Sequence, residues 1–226
     1  MRNVEAVLLD LDGTLYDTKN QIIALVQETA KKHGLPVPSM ESIFPRTAGM
    51  TLANTFHTLF PKNDPEPLCE TYRGIETENP QSNSLFPKTI ETLKQIKAMR
   101  MGIGIVTSRS RRSLEKVVKE TGLEPYTDVL VSRDDIKNPK PDPEQIFLAL
   151  NRLHTPNINT VMVGDSQTDI LAARNAGLFA SIGVLCGHEG EVITRSSPDY
   201  VLDSIADLAP LILTTFRVFV LSYRIA

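Results

Sequence analysis

Four short apolar segments, each ending at polar residues, constrain the fold of this chain more than any other feature. They are VEAVLLD (4–10), GIGIVTS (102–108), DVLVSRDD (128–135) and TVMVGDS (160–166). Weaker segments of the same kind lie at 180–186 and 199–204. Strands that are covered by helices on both faces form near-continuous apolar runs, and helical patterns separate these segments. The pattern predicts a doubly wound α/β fold with a mainly parallel sheet.

Several helix ends are marked by capping residues. The pattern SLEKVVKETG ends at Gly122, a typical left-handed cap. In DPEQIFLALNRL, Asp142 is the predicted N-cap and Pro143 the first helical residue. In SQTDILAARNAG, Ser166 is the predicted N-cap, with Asp169 three residues later as its capping-box partner.

The alternation of strands and helices breaks off over residues 17–83. Three amphipathic segments there read as helices, separated by proline-rich turns, and no strand is predicted. We therefore expect a small all-helical insertion at 17–83 in an α/β core made of 1–16 and 84–210. Residues 211–226 form an apolar tail of unknown role, for which a packed terminal strand and a dimer contact both remain open.

Composition limits the classes of function. The net charge is −3 and the pI is about 5.8, so no broad basic field favours nucleic acid or anionic lipid. The N-terminal apolar stretch is too short and too acidic for a signal peptide, and no segment reaches the roughly 18 apolar residues of a membrane span. Cys69 and Cys186 match no zinc spacing and are expected to be two separate thiols. We expect a cytoplasmic protein.

Polar residues follow the predicted strands at the point where each ends. Asp10 and Asp12 follow the first strand, Thr107 and Ser108 end the second, and Asp165 follows the fourth. Lys140 comes a few residues after the third strand, between prolines that stiffen the backbone. Because ligands bind beyond the carboxyl ends of the strands in such sheets, these residues are predicted to converge.

The converging aspartates indicate a divalent cation, since nearby carboxylates repel one another without one. Mg²⁺ prefers hard oxygen ligands and takes one or two carboxylates. The predicted ligands are Asp10, Asp165 and the backbone carbonyl of Asp12.

A metal, a phosphate-binding group and a spare carboxylate together predict phosphoryl transfer. Asp10 is the expected nucleophile and Asp12 the expected general acid and base. Thr107, Ser108 and Lys140 are the expected phosphate-binding residues.

Each of these residues also has an ordinary structural interpretation. Asp12-Gly13 is a common turn dipeptide, and Thr107-Ser108 could simply cap a helix. For Asp169, a capping role and a supporting contact to Lys140 or the metal site are equally compatible with its position. The basic run at 109–112 is interpreted as a solvated helix start.

In their order along the chain, DLDGTLYDT, VTSR, NPKPDP and VGDSQTD resemble the four motifs of the haloacid dehalogenase superfamily. The segments around 85–110 and 122–144 resemble its phosphoglycolate phosphatase-like branch, and the insertion resembles a helical type 1 cap. This resemblance implies a Rossmann-like core, Mg²⁺ dependence and a cap that opens and closes. It also implies Asp10 as nucleophile, Asp12 as acid and base, and Asp165 as metal ligand.

The leading functional prediction is a phosphatase for small phosphorylated metabolites, such as phosphoglycolate. A sugar phosphomutase similar to β-phosphoglucomutase and an inorganic pyrophosphatase are alternatives on the same core. A signalling receiver is disfavoured, because its phosphorylated aspartate ends the third strand. A monomer or homodimer is expected, with a small phosphorylated substrate and neither nucleic acid nor membrane as a partner.

Overall fold

The structure is a computed structural model that describes residues 3–47, 50–78, 85–188 and 190–216. The contacts divide the chain into two compact units. The first unit consists of Met1–Tyr16 and Leu85–Ala226, and the second unit is Asp17–Ser84. That the two units act as separate domains stays a prediction.

The first unit contains a six-stranded sheet with the order β3-β2-β1-β4-β5-β6, in which every neighbouring pair is parallel. Its strands are β1 (Ala6–Leu9), β2 (Gly102–Val106), β3 (Val129–Val131), β4 (Thr160–Gly164), β5 (Ala180–Val184) and β6 (Tyr200–Leu202). All six predicted strands, including the two weaker ones, are therefore confirmed. Every residue of β1, β4 and β5 is buried, which explains why these segments are continuously apolar in the sequence.

The strand order reverses beside β1. Ala6 pairs with Gly102 of β2 on one side and with Thr160 of β4 on the other. Strands β2 and β3 lie on one side of β1, and the later strands β4, β5 and β6 lie on the other side. This reversal opens a crevice at the carboxyl ends of β1 and β4, which is the usual ligand position in such sheets.

Helices cover both faces of the sheet. The helices of this unit are α5 (Thr89–Ala98), α6 (Arg111–Glu120), α7 (Glu144–Leu153), α8 (Gln167–Asn175) and α9 (Leu208–Thr215). Val7 and Leu9 of β1 pack in one core cluster with α5, α6 and α9, whereas Leu8 packs in another with α7 and α8. Successive strand residues point to opposite faces, so a single strand supplies both cores. The predicted doubly wound fold is confirmed.

The predicted helix caps differ in accuracy. Ser166 caps α8 and forms the predicted capping box with Asp169. The prediction for α7 is wrong by one residue, because Pro143 is the N-cap and Glu144 the first helical residue. Asp142 nevertheless accepts a 2.9 Å hydrogen bond from the Glu144 backbone N–H, so its carboxylate still satisfies a donor at that helix end.

The second unit consists of four helices in its described residues. They are α1 (Lys19–Lys32), α2 (Met40–Thr47), α3 (Leu52–Leu59) and α4 (Pro65–Glu78). Its core contains Phe56, whose ring lies 6.4 Å from that of Phe60 and 6.1 Å from that of Tyr72. Helix α2 was not predicted. The prolines at 65 and 67, predicted to lie in turns, instead occupy the first turn of α4, where a missing backbone N–H costs little.

The described part of the tail is helical. Residues 211–215 belong to α9, and Phe216 packs edge-on against Phe179 and Tyr200, with ring centroids 5.3 and 5.5 Å away. The first residues of the tail therefore form a helix and not a strand, while residues 217–226 lie outside the described part of the chain. Neither Cys69 nor Cys186 forms a disulfide. Among the helices of the described residues, none combines the length and the apolar character that crossing a membrane requires.

Candidate active site

The two central strands each end in a buried aspartate at the same edge of the sheet. Asp10 directly follows β1, and Asp165 directly follows β4. The backbone N–H of Asp10 donates a 2.9 Å hydrogen bond to the carbonyl of Val163, which extends the ladder up to the aspartates. Both carboxylates therefore lie at the crevice where the strand order reverses.

The ammonium group of Lys140 lies between two carboxylates. Nζ donates to Oδ1 of Asp10 at 2.7 Å, to Oδ1 of Asp169 at 2.6 Å and to the carbonyl of Val106 at 3.2 Å. Only 3% of the side chain is exposed. Burial by itself lowers the pKa of Lys140, but the two carboxylates outweigh burial and raise that pKa, so the lysine stays charged.

Asp169 has both of the roles that the sequence left open. Its Oδ2 accepts hydrogen bonds from the backbone N–H of Ser166 at 3.1 Å and from the Ser166 hydroxyl at 2.6 Å. Its Oδ1 accepts from Lys140. The capping box of α8 therefore fixes the carboxylate that holds the lysine.

Three carboxylates are close enough to share one cation. Ligand oxygens of Asp10, Asp165 and Asp169 all lie within 4.8 Å of one another, and all three residues are buried. Burial raises the pKa of Asp10 well above its usual value; Lys140 counteracts this rise, and Asp169 and Asp165 add to it. Carboxylates held this close repel one another, and a divalent cation bound among them would offset that repulsion.

The backbone approaches the side chain of Asp165 closely at two glycines. Gly13 has a φ of +80°, and a Cβ there would lie 2.0 Å from Oδ2 of Asp165. A Cβ on Gly187 would lie 2.2 Å from the Cβ of Asp165. Glycine at these positions allows this close packing. The buried carboxylate oxygens themselves are the ligands that suit a small, hard divalent cation.

His188 also contacts Asp165. Its backbone N–H donates to Oδ2 of Asp165 at 2.7 Å, and its Nδ1 lies 3.1 Å from the same oxygen. Burial lowers the pKa of His188, but the hydrogen bond and charge of Asp165 outweigh burial and raise it. These two contacts fix the orientation of the Asp165 carboxylate.

The carboxylate of Asp12 pairs with Arg109 and not with Lys140. Nε of Arg109 donates to Oδ1 at 3.0 Å and to Oδ2 at 2.8 Å, and Nη2 donates to Oδ1 at 2.7 Å. Only 8% of the Arg109 side chain is exposed. The interpretation of 109–112 as a solvated helix start is therefore wrong for Arg109, because its guanidinium turns inward to a carboxylate at the end of β1.

Thr107 and Ser108 follow β2 at the same edge of the sheet, but their environments differ. Thr107 is buried, its hydroxyl accepts from the backbone N–H of Arg109 at 3.2 Å, and its carbonyl accepts from Nε2 of Gln145 at 2.9 Å. Ser108 is exposed. The loop after β2 is thus tied to α7 through Gln145 while Ser108 remains accessible to a ligand.

Sequence reasoning missed the contributions of Arg109, Gln145 and His188. Arg109 carries a signal in hindsight, because it directly follows Thr107-Ser108 and an arginine there can reach a neighbouring strand end. Gln145 and His188 carry no comparable signal, since each lies in a segment with an ordinary structural interpretation. Only the folded chain shows which carboxylate or carbonyl they meet.

Comparisons with known proteins place this geometry in a family. The family model described as haloacid dehalogenase-like hydrolase matches residues 7–183. The pyrophosphatase PpaX of Bacillus velezensis is 34% identical over 92% of this chain and 95% of its own length. The phosphoglycolate phosphatase of Salmonella typhi is 29% identical over 93% of each chain.

A solved structure supports the fold. The haloacid dehalogenase-like family protein of Streptococcus pneumoniae is 22% identical, with a TM-score of 0.82 over 93% of this chain and 99% of that chain. The family match covers most of the chain and includes Asp10, Lys140 and Asp165. The chain belongs to the haloacid dehalogenase-like hydrolase family.

Proposed function

We propose that this chain is a Mg²⁺-dependent phosphatase that hydrolyses small phosphorylated metabolites through an aspartyl-phosphate on Asp10. The observation that carries the proposal is the contact between Lys140 and Asp10, at 2.7 Å, beside Asp165 and Asp169. This arrangement supports the proposal, because phosphoryl transfer requires a nucleophile, a fixed positive charge and a place for a divalent cation close together.

The proposed metal ligands are Asp10, Asp165 and the backbone carbonyl of Asp12. Asp169 is assigned to Lys140 instead, because its two oxygens accept from Lys140 and Ser166. When bound, Mg²⁺ supplies positive charge that offsets the negative charge of the phosphoryl group.

In the first step, a carboxylate oxygen of Asp10 attacks phosphorus while the bond from phosphorus to the leaving oxygen breaks. Lys140 donates to Oδ1 of Asp10, which leaves Oδ2 for the attack. The transfer converts one difficult displacement into two easier steps.

Asp12 is the proposed proton-transfer residue in both steps. It donates a proton to the leaving oxygen in the first step and accepts one from the attacking water in the second, which releases inorganic phosphate and restores Asp10. Thr107 and Ser108 supply the proposed phosphate contacts at the end of β2, and the charge of Lys140 offsets that of the phosphoryl group.

The proposed substrates are phosphoglycolate and inorganic pyrophosphate. Relatives named phosphoglycolate phosphatase and pyrophosphatase PpaX support this pair. Both compounds are small and carry a second anionic group next to the group that is transferred.

A phosphate-release assay tests the proposal. With phosphoglycolate and with pyrophosphate, phosphate release should require Mg²⁺ and stop when EDTA is added. Asp10→Asn should abolish release while its circular dichroism spectrum matches that of the wild type. Release that persists in EDTA would contradict the metal requirement, and release by Asp10→Asn would remove Asp10 as the nucleophile.

The same assay separates hydrolysis from the mutase alternative. A mutase returns the phosphoryl group to sugar, so glucose 1-phosphate would yield glucose 6-phosphate without free phosphate. We expect free phosphate. Cytoplasmic location, absence of nucleic-acid and membrane partners, and a monomeric or homodimeric state stay predictions.

A further inference from the structure

We propose that Arg109 is a positioning residue for Asp12, so that the guanidinium determines where the proton-transferring carboxylate stands. This inference rests on the proposed function, in which Asp12 exchanges protons with the leaving oxygen and with water. It concerns a residue that does not itself contact the reacting phosphorus.

The contact between the two side chains fixes direction as well as distance. Nε and Nη2 of Arg109 make three hydrogen bonds of 2.7 to 3.0 Å with the two oxygens of Asp12. A guanidinium fork that engages both oxygens prevents the carboxylate from rotating about its own axis. Oδ2 of Asp12 accepts only one of the three bonds and keeps acceptor capacity for a proton in transfer.

Arg109 is itself held from several sides. Nη1 donates to the hydroxyl of Ser113, in the first turn of α6, at 2.8 Å. The guanidinium carbon lies 5.5 Å from the ring centroid of Tyr16, within cation–π range. Its backbone N–H donates to the hydroxyl of Thr107, and its carbonyl accepts from Arg133 at 2.8 Å. These contacts fix Arg109 relative to β2 and α6, and Arg109 in turn fixes the carboxylate of Asp12 relative to the same elements.

The ion pairs of the site fall into two groups, each with its own cation. Lys140 serves Asp10 and Asp169, while Arg109 serves Asp12. The nucleophile and the proton-transferring residue are therefore positioned by different cations. A change at Arg109 should consequently affect proton transfer without affecting the attack by Asp10.

Leaving groups that differ in their need for a proton test this separation. The parameter kcat/KM includes steps only up to phosphoryl transfer, so it reports departure of the leaving group. Arg109→Met should lower kcat/KM for an alkyl phosphate about 100-fold, the scale of general acid catalysis. For dinitrophenyl phosphate, whose leaving group needs no proton, the loss should not exceed about threefold.

Three further variants complete the test. Arg112→Met removes an exposed arginine three residues away and should change neither ester. In an Asp12→Asn background, Arg109→Met should cause little additional loss, because the residue through which it acts is already gone. If Arg109→Met does not fold, Arg109→Lys can replace it, because lysine keeps the charge without the guanidinium fork. Its loss in kcat/KM should be smaller but should again be greater for the alkyl phosphate than for dinitrophenyl phosphate.

Equal losses in kcat/KM for both esters would overturn the proposal. It would also be overturned if Arg109→Met lowered kcat/KM by the same factor in the Asp12→Asn background as in the wild type. A rise in KM alone would also overturn it, because that pattern indicates direct substrate binding. None of these three outcomes bears on whether the wild type forms a covalent phosphate on Asp10. If the wild type forms no such intermediate, the proposed function fails and this inference fails with it.

Discussion

At the scale of single residues, Lys140 is the side chain on which the charge balance of the site depends most. It is buried and bonded to Asp10 and Asp169, so its removal leaves buried carboxylates without their partner. Lys140→Met should lower the free energy of unfolding by about 3–5 kcal/mol in the presence of EDTA, as expected for a broken buried ion pair. Urea denaturation at neutral pH measures this change.

The matched control is Lys137→Met, which removes an exposed lysine from the same loop. Its unfolding free energy should stay within about 0.5 kcal/mol of the wild type. Equal stability of the two variants would show that Lys140 does not compensate the carboxylates.

Gly13 tests the close backbone approach to Asp165. In Gly13→Ala the new methyl group would overlap Oδ2 of Asp165, and the positive φ would add strain. Asp165 must then move, and we expect the affinity for Mn²⁺, used as a paramagnetic substitute, to fall by about 10- to 100-fold. Titration followed by electron paramagnetic resonance measures that affinity.

Gly34 provides the control, because its φ is +64° and nothing lies within 4 Å of the position of a Cβ. Gly34→Ala carries similar backbone strain and should leave the affinity for Mn²⁺ unchanged. An equal fall in both glycine variants would assign the effect to backbone strain and not to displacement of Asp165.

At the scale of elements, the turn after β3 depends on one carboxylate. Oδ2 of Asp135 accepts from the backbone N–H and the hydroxyl of Ser132, each at 2.7 Å, and also from Arg111. Burial raises the pKa of Asp135, but these hydrogen bonds and the charge of Arg111 outweigh burial and lower it. The folded state therefore binds the proton of Asp135 less readily than the unfolded chain does.

This shift determines how the contribution of Asp135 varies with pH. Its stabilisation is fully present above the unfolded pKa of about 3.9 and is lost as the pH falls through the lower folded pKa. Asp135→Asn should cost about 1–2 kcal/mol at pH 7, the scale of a cap hydrogen bond, and less below about pH 4. Urea denaturation at both pH values measures the difference.

Asp203 is exposed, and Asp203→Asn serves as the control with little expected effect at either pH. A cost for Asp135→Asn that does not shrink in acid would show that the ionised carboxylate is not what stabilises the turn.

At the scale of the whole molecule, much of the core fold follows from the sequence. Strands buried on both faces must be apolar throughout, and parallel strands all end at one edge, so the polar residues after β1, β2 and β4 had to approach one another. The approach of Asp10 and Asp165 could be predicted for this reason, although 155 positions separate them.

Other features depend on tertiary contacts that local patterns do not contain. Helix α2 includes Pro45 and so lacks an uninterrupted helical pattern, and the first turn of α4 contains two prolines. Arg109 resembled a surface residue because its neighbours are basic, and only the position of Asp12 shows why it is buried. The choice of partner among nearby charges is a property of the folded chain.

In the proposed mechanism, Asp10 carries the phosphoryl group during turnover. Rapid acid quenching of the enzyme during hydrolysis of phosphoglycolate, followed by peptide mass spectrometry, tests it most directly. We expect a covalent phosphate on Asp10 that appears with substrate and Mg²⁺ and disappears once the substrate has been consumed. Phosphate on a different residue, or full turnover by Asp10→Asn, would contradict it.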